Sequence, residues 1–143
     1  MKQNLTAATL ITSLIASLTL AAGPTRAAEA IDPYSDPDTT WVLQVLDGQV
    51  FEADTTLSFP EPGRVAGKAT CNNYSGEMTA TYPEFEVGPL ISTRMACPDM
   101  ELEQVFLDAL AAMRGAVATD YILVLTGPDG GEMVFTPADQ APR

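Results

Sequence analysis

The chain has 143 residues, with 19 Asp and Glu against seven Lys and Arg and no histidine, for a formal charge of −12. That balance repels nucleic acid and anionic lipid, so neither is expected as a partner. Lack of histidine removes the commonest general base and a frequent zinc ligand.

Residues 1–30 read as a secretory signal. Lys2 supplies the positive start, Leu5 to Ala22 is a mostly apolar stretch diluted by Thr and Ser, and Ala28-Glu29-Ala30 offers a small-x-small cleavage site. A cut after Ala30 starts the mature chain at Ile31; a cut after Ala27, with Thr25 three positions back, is the alternative. The rival reading is an uncleaved anchor, since the stretch approaches the roughly 20 residues a membrane helix needs. No cysteine lies near either cut, which excludes a lipoprotein. The expected location is the periplasm, with no stable membrane anchor after cleavage. Thirty residues fewer leaves 113, without Lys2, Arg26 and Glu29, so the formal charge becomes −13. Such a length suits one domain with a limited core.

Residues 31–39, rich in Pro and Asp, read as an extended lead-in, and the domain proper is expected over 40–137. Short alternating segments then predict strands at Trp41 to Leu46, Gln49 to Phe51 and Thr56 to Phe59, with a turn at Asp47-Gly48. Pro60-Glu61-Pro62-Gly63 predicts a turn, Arg64 to Ala69 a further strand, and Gly67 a bulge or bend. Glu77 to Tyr82 and the Phe85/Val87 pair predict a hairpin turning near Pro83. Leu90 to Arg94 is another short strand. Tyr121 to Thr126 and Glu132 to Thr136 form a C-terminal hairpin across Gly127 to Gly131, after a short strand at Ala116 to Thr119. Residues 138–143 read as a disordered tail.

One helix is expected over about residues 98–114. Leu102, Val105, Phe106, Ala109, Leu110 and Met113 make a single apolar stripe. Asp99, Glu101 and Glu103 favour its positive end, and Arg114 with Gly115 marks its stop. Many short strands and one helix define an α+β, mostly β domain, whose antiparallel sheet is expected to curl into a partly closed barrel.

Cys71 and Cys97 are the two cysteines. Behind an export signal they are expected to be joined, closing a loop of about 27 residues worth about 3.5 kcal/mol by chain entropy. The functional rival is a redox or metal site, against which stand the lack of Cys-x-x-Cys and of histidine.

Their surroundings carry a resemblance. Cys71-Asn72-Asn73-Tyr74-Ser75-Gly76, followed about twenty residues later by Thr93-Arg94-Met95-Ala96-Cys97 and an amphipathic helix, resembles the META domain family, to which HslJ-like heat-shock envelope proteins belong. The resemblance spans the mature domain from Trp41-Val42-Leu43 to the final hairpin. It implies a lipocalin-like antiparallel barrel with a packed helix, and a role in envelope stress or antibiotic tolerance without an established catalytic activity. Motif positions Asn72, Asn73, Tyr74, Gly76, Thr93, Arg94 and Met95 are then structural. Thr70 departs from the small residue often found there, and the lipoprotein cysteine common among relatives is missing.

Other chemistry is weak in this sequence. Ser58, Ser75 and Ser92 have no histidine to join, and a Ser75–Lys68 pairing competes with a plain surface lysine. Asp32, Asp36 and Asp38 are interrupted by Pro33 and Pro37, so a solvated acidic lead-in is a better reading than a calcium loop. Glu101 and Glu103 fit helix electrostatics better than paired-carboxylate hydrolysis. Asn72 and Asn73 are expected in a turn, Gly76 at positive φ, and Arg94 in a structural ion pair. Trp41, Tyr74 and Phe106 are expected in the core.

These readings point to a non-enzymatic, monomeric module without cofactor or metal, binding a protein partner that its acidic surface would favour as basic. Alternatives are a lipocalin-like carrier of an apolar ligand and an acidic protein resembling the small periplasmic inhibitors of lysozyme.

Overall fold

The computed structural model describes residues 31–142; the expected signal lies outside them. Nine strands and one helix follow the order β1 (Thr40–Leu46), β2 (Gln49–Val50), β3 (Thr56–Glu61), β4 (Arg64–Ala69), β5 (Asn72–Glu77), β6 (Ile91–Ser92), α1 (Met100–Ala112), β7 (Gly115–Thr119), β8 (Ile122–Thr126) and β9 (Glu132–Pro137). All strand pairs are antiparallel, in the order β6-β5-β4-β3-β1-β9-β8-β7, with β2 added to β1. The fold is therefore α+β and mostly β, as expected.

The sheet curls without closing strand to strand. An irregular segment ties its two flanks instead. Met78 bridges Val87, Glu84 bridges Gly115, and the Phe85 amide donates to the Arg114 carbonyl at 2.9 Å. The hairpin expected to turn near Pro83 is present in short form, the Thr79 amide donating to the Glu86 carbonyl at 3.0 Å and the Gly88 amide to the Glu77 carbonyl at 2.8 Å. It does not extend into a regular ladder, because Pro83 lacks an amide donor and Phe85 turns fully into the core.

Alternation buries one face of nearly every strand. Trp41 and Leu43, Leu57 and Phe59, Leu123 and Leu125, and Met133 and Phe135 meet Phe106 and Leu110 of the helix in one continuous core. The expected turn at Asp47-Gly48 is present, both residues having positive φ, 49° and 77°. β3 instead runs through Pro60, so the turn predicted over 60–63 is confined to Pro62-Gly63.

The lead-in is not extended. Residues Pro33–Ser35 form a 3-10 turn capped by Asp32, and Tyr34 is buried, its ring centroid 4.8 Å from that of Phe59. The Tyr34 hydroxyl donates to the Glu84 carbonyl at 2.8 Å, so the lead-in is stapled across the barrel. Its burial raises the Tyr34 hydroxyl pKa, with Asp32 and Tyr82 adding to the effect. Nor is the tail wholly loose. The Ala138 amide donates to the Thr40 carbonyl at 2.8 Å, and Gln140 Nε2 to the Asp120 carbonyl at 3.3 Å.

The helix is shorter than expected and rotated. Phe106, Leu110 and Met113 point inward as predicted, but Glu103 replaces Leu102 and Val105 on the buried face. Among the described residues no helix is long and apolar enough to cross a membrane.

Candidate functional site

Cys71 and Cys97 are bonded, with their Cα atoms 6.3 Å apart. Cys71 occupies the second position of the two-residue β4–β5 turn, since Ala69 pairs with Asn72. Cys97 lies three residues before α1. The bond therefore joins a hairpin tip to the approach of the helix. Both cysteines are half-buried, and no free cysteine is present.

Beside the bond sits a buried polar network that the sequence reading only partly anticipated. Asn72, expected in a turn, instead opens β5 with its side chain inward. Its Oδ1 accepts from the Met95 amide at 2.7 Å and the Thr93 hydroxyl at 2.8 Å. Its Nδ2 donates to the Met95 carbonyl at 3.1 Å and to Glu103 Oε1 at 2.9 Å. Glu103 Oε2 accepts from the Asn72 amide at 2.8 Å and the Cys71 amide at 3.3 Å. One side chain thus reads the backbone of the 93–95 segment while one carboxylate reads the hairpin tip. Without these donors Glu103, only 7 % exposed, would be an uncompensated buried charge.

Glu103 is the member missed from sequence. As an acidic residue in a first helical turn it looked like a dipole partner. The signal that could have found it is its place among Phe106 and Leu110, three and seven residues on, which puts it on the inner face.

The remaining motif residues divide by role. Asn73 is exposed and pairs through its backbone with Thr93, whose amide donates to the Asn73 carbonyl at 3.0 Å. Tyr74 is core, edge-on to Phe106 at 5.4 Å, and its hydroxyl donates to the Thr56 carbonyl at 2.8 Å. Burial pushes that hydroxyl pKa up. Met95 serves through its backbone while its side chain is exposed.

Arg94 corrects an expectation. It is exposed, and the ion pair found among the described residues is Arg64 with Glu61, 2.6 Å apart. The flanking backbone, not the guanidinium, faces the network, so no buried carboxylate partner is required.

Gly76 is a second correction. It is not at positive φ; it leaves room for Leu90, whose Cδ2 would lie 2.7 Å from an added Cβ. The left-handed conformation falls instead on Thr70, at φ 54°. A β-branched side chain in that conformation is strained. Thr55 supports it, its Oγ1 accepting from the Thr70 amide at 3.3 Å. Gly67, expected in a bulge, lies in regular β4–β5 register. An added Cβ there would strike the Thr56 carbonyl, the group that accepts from Tyr74.

The other candidates do not assemble. Glu101 is exposed while Glu103 is buried, so they form no carboxylate pair. In the lead-in, Asp36 Oδ2 accepts from the Thr39 hydroxyl at 2.6 Å and Oδ1 from the Asp38 amide at 3.0 Å, which holds the Asp36 carboxyl pKa down. Among the described residues no three metal-type ligands converge.

A curled antiparallel sheet with one disulfide-pinned helix, and a polar network turned inward rather than toward solvent, defines a small α+β barrel-like domain. The META domain profile matches residues 35–140, and the chain belongs to that family. Among solved structures it is similar to a protein from Burkholderia xenovorans determined by NMR, with 25% identity and a TM-score of 0.59 over 81% of this chain and 97% of that one. A second NMR structure gives 24% identity and a TM-score of 0.58, covering 78% and 99%. A crystal structure of a DUF4847 family protein from Bacteroides vulgatus shares the fold at 11% identity and a TM-score of 0.57, covering 73% and 93%. No curated protein matches the chain significantly. The disulfide is compatible with an oxidising compartment such as the periplasm.

Proposed function

We propose that this META domain is a non-enzymatic, partner-binding module of the cell envelope, exported to the periplasm and serving stress or antibiotic tolerance there. The observation that carries this reading is the filled interior. Trp41, Phe59, Phe85, Phe106 and Phe135 are each at most 2 % exposed and occupy the space a carrier would keep for a ligand. The motif's polar groups are likewise spent on their own chain, so recognition falls to the outer surface. There the formal charge of −13 left once residues 1–30 are removed favours a basic partner.

Crosslinking in intact cells, followed by identification of what is recovered, tests this. A specific protein partner, captured less at high salt, is the expected result. Recovery of a lipid or apolar small molecule without any protein would replace the module with a carrier.

A further inference from the structure

We propose that the groove between the β1–β2 hairpin and the outer face of α1 docks a cationic amphipathic segment of a partner protein, an apolar side chain flanked by Lys or Arg. This rests on the partner-binding reading above and gives it a location. Leu46, Val50 and Phe51 line the hairpin wall and Leu102 and Val105 the helix wall, with Glu52 at the edge, around a volume of ≈ 280 Å³. Pockets for drug-sized ligands run from roughly 300 to 1,000 Å³, so this open groove suits anchoring side chains of a larger partner.

The apolar walls stand in water. Val50 is 76 % exposed and Val105 50 %. On the helix side the cause is Glu103: by turning inward to hold the hairpin tip, it rotates Leu102 and Val105 out of the core.

Charge selects the occupant. Glu52 lines the groove, Glu101 and Asp108 lie on the helix beside it, and Glu103 is spent inward on the hairpin tip; neither the hairpin segment 47–54 nor the helix segment 99–112 contains a basic residue. Glu101 and Asp108, four before and three after Val105, are its neighbours on the helix surface. Apolar walls edged by Glu52, with Glu101 and Asp108 beside Val105, favour a cationic segment and disfavour a second copy of this chain, whose own carboxylates would repel them.

The test uses the disulfide-bonded protein expressed from the full chain and a labelled synthetic peptide of alternating Lys and Leu, followed by fluorescence anisotropy. Saturable binding is expected, weakened about tenfold by Val105→Lys and by Val50→Lys on the opposite wall. Val117→Lys, at an exposed apolar site on β7, should change it less than about twofold. Equal binding by the groove and β7 variants, equal binding of a Glu-Leu peptide, or no binding would each overturn the proposal. So would a dimer in sedimentation that Val105→Lys dissociates. In cells, a crosslinked partner whose yield Val105→Lys leaves unchanged overturns the groove alone, whereas the absence of any partner for the unaltered protein overturns the broader reading as well.

Discussion

Two regions of this domain pin a peripheral element to the sheet, and they do it with opposite chemistry. At the clasp, α1 is held through the disulfide and through Asn72 and Glu103, whose polar atoms find fixed partners between 2.7 and 3.3 Å. At the aromatic corner, the lead-in is held by Tyr34 packed among Phe59, Tyr82 and Phe85, with one hydroxyl bond added. Aromatic packing is non-directional and scales with the area kept from water, so its loss is graded. A buried polar network is directional: deleting one member leaves others desolvated and unpaired, so its loss is abrupt.

The largest effect should come from the graded side taken to its limit. Tyr34→Ala is expected to destabilise the domain by about 4 kcal/mol, the usual scale for emptying a large aromatic site, as read by denaturant unfolding. Tyr34→Phe keeps the ring and should cost only about 1 kcal/mol. If the two variants were equally unstable, the corner would depend on its hydroxyl and the contrast would break.

Replacing both cysteines by serine should cost about 3.5 kcal/mol, the chain-entropy value for this loop. Reduction of the unaltered protein should produce a loss of similar size. A negligible change in either measurement would show that the hydrogen bonds alone hold the clasp.

Glu103→Ala should cost about 3 kcal/mol by orphaning the buried Asn72 amide and leaving the Cys71 amide and Asn72 Nδ2 with one partner each, the carbonyls of Ala69 and Met95. The sharper comparison is Glu103→Gln, which should recover less than half of that. Its single carbonyl oxygen cannot serve both donor sets, and Asn72 cannot flip while its Oδ1 holds Thr93 and Met95. A Gln variant as stable as the parent would remove the directional argument.

The smallest effect is titrational and belongs to Tyr74, which lies between the clasp and the core. Burial raises its folded pKa above the ordinary 10.0, so the unfolded chain ionises first as pH rises. Its contribution is fully present below pH 10 and is lost above it, by up to about 1.4 kcal/mol per pH unit. Tyr74→Phe should flatten that part of the alkaline stability profile, and an unchanged profile would count against its burial.

Much of this was legible from residues alone, where local rules act alone. Asp47-Gly48 makes its turn because both positions need positive φ, and the alternation of the outer strands follows from a half-buried sheet. Other signals misled for physical reasons. Asn72-Asn73 looks like a turn because free Asn side chains bond nearby backbone, but here Asn72 bonds a segment more than twenty residues away. Tyr34 sits in a Pro- and Asp-rich stretch whose composition says extended, and only the facing Phe59 and Phe85 make it core.

The sequence by itself determined an acidic, single-helix, mostly β domain of the META family with two cysteines placed to pair. It could do so because composition, period-two alternation and motif spacing are local properties of the chain. Tertiary structure alone decided which face of α1 is buried. Apolar periodicity favoured Leu102 and Val105 inside, but Glu103 facing inward satisfies the amides of the hairpin tip across a separation of about thirty residues. That long-range exchange of a hydrophobic contact for a charge-assisted one turned an apolar pair outward and made the groove.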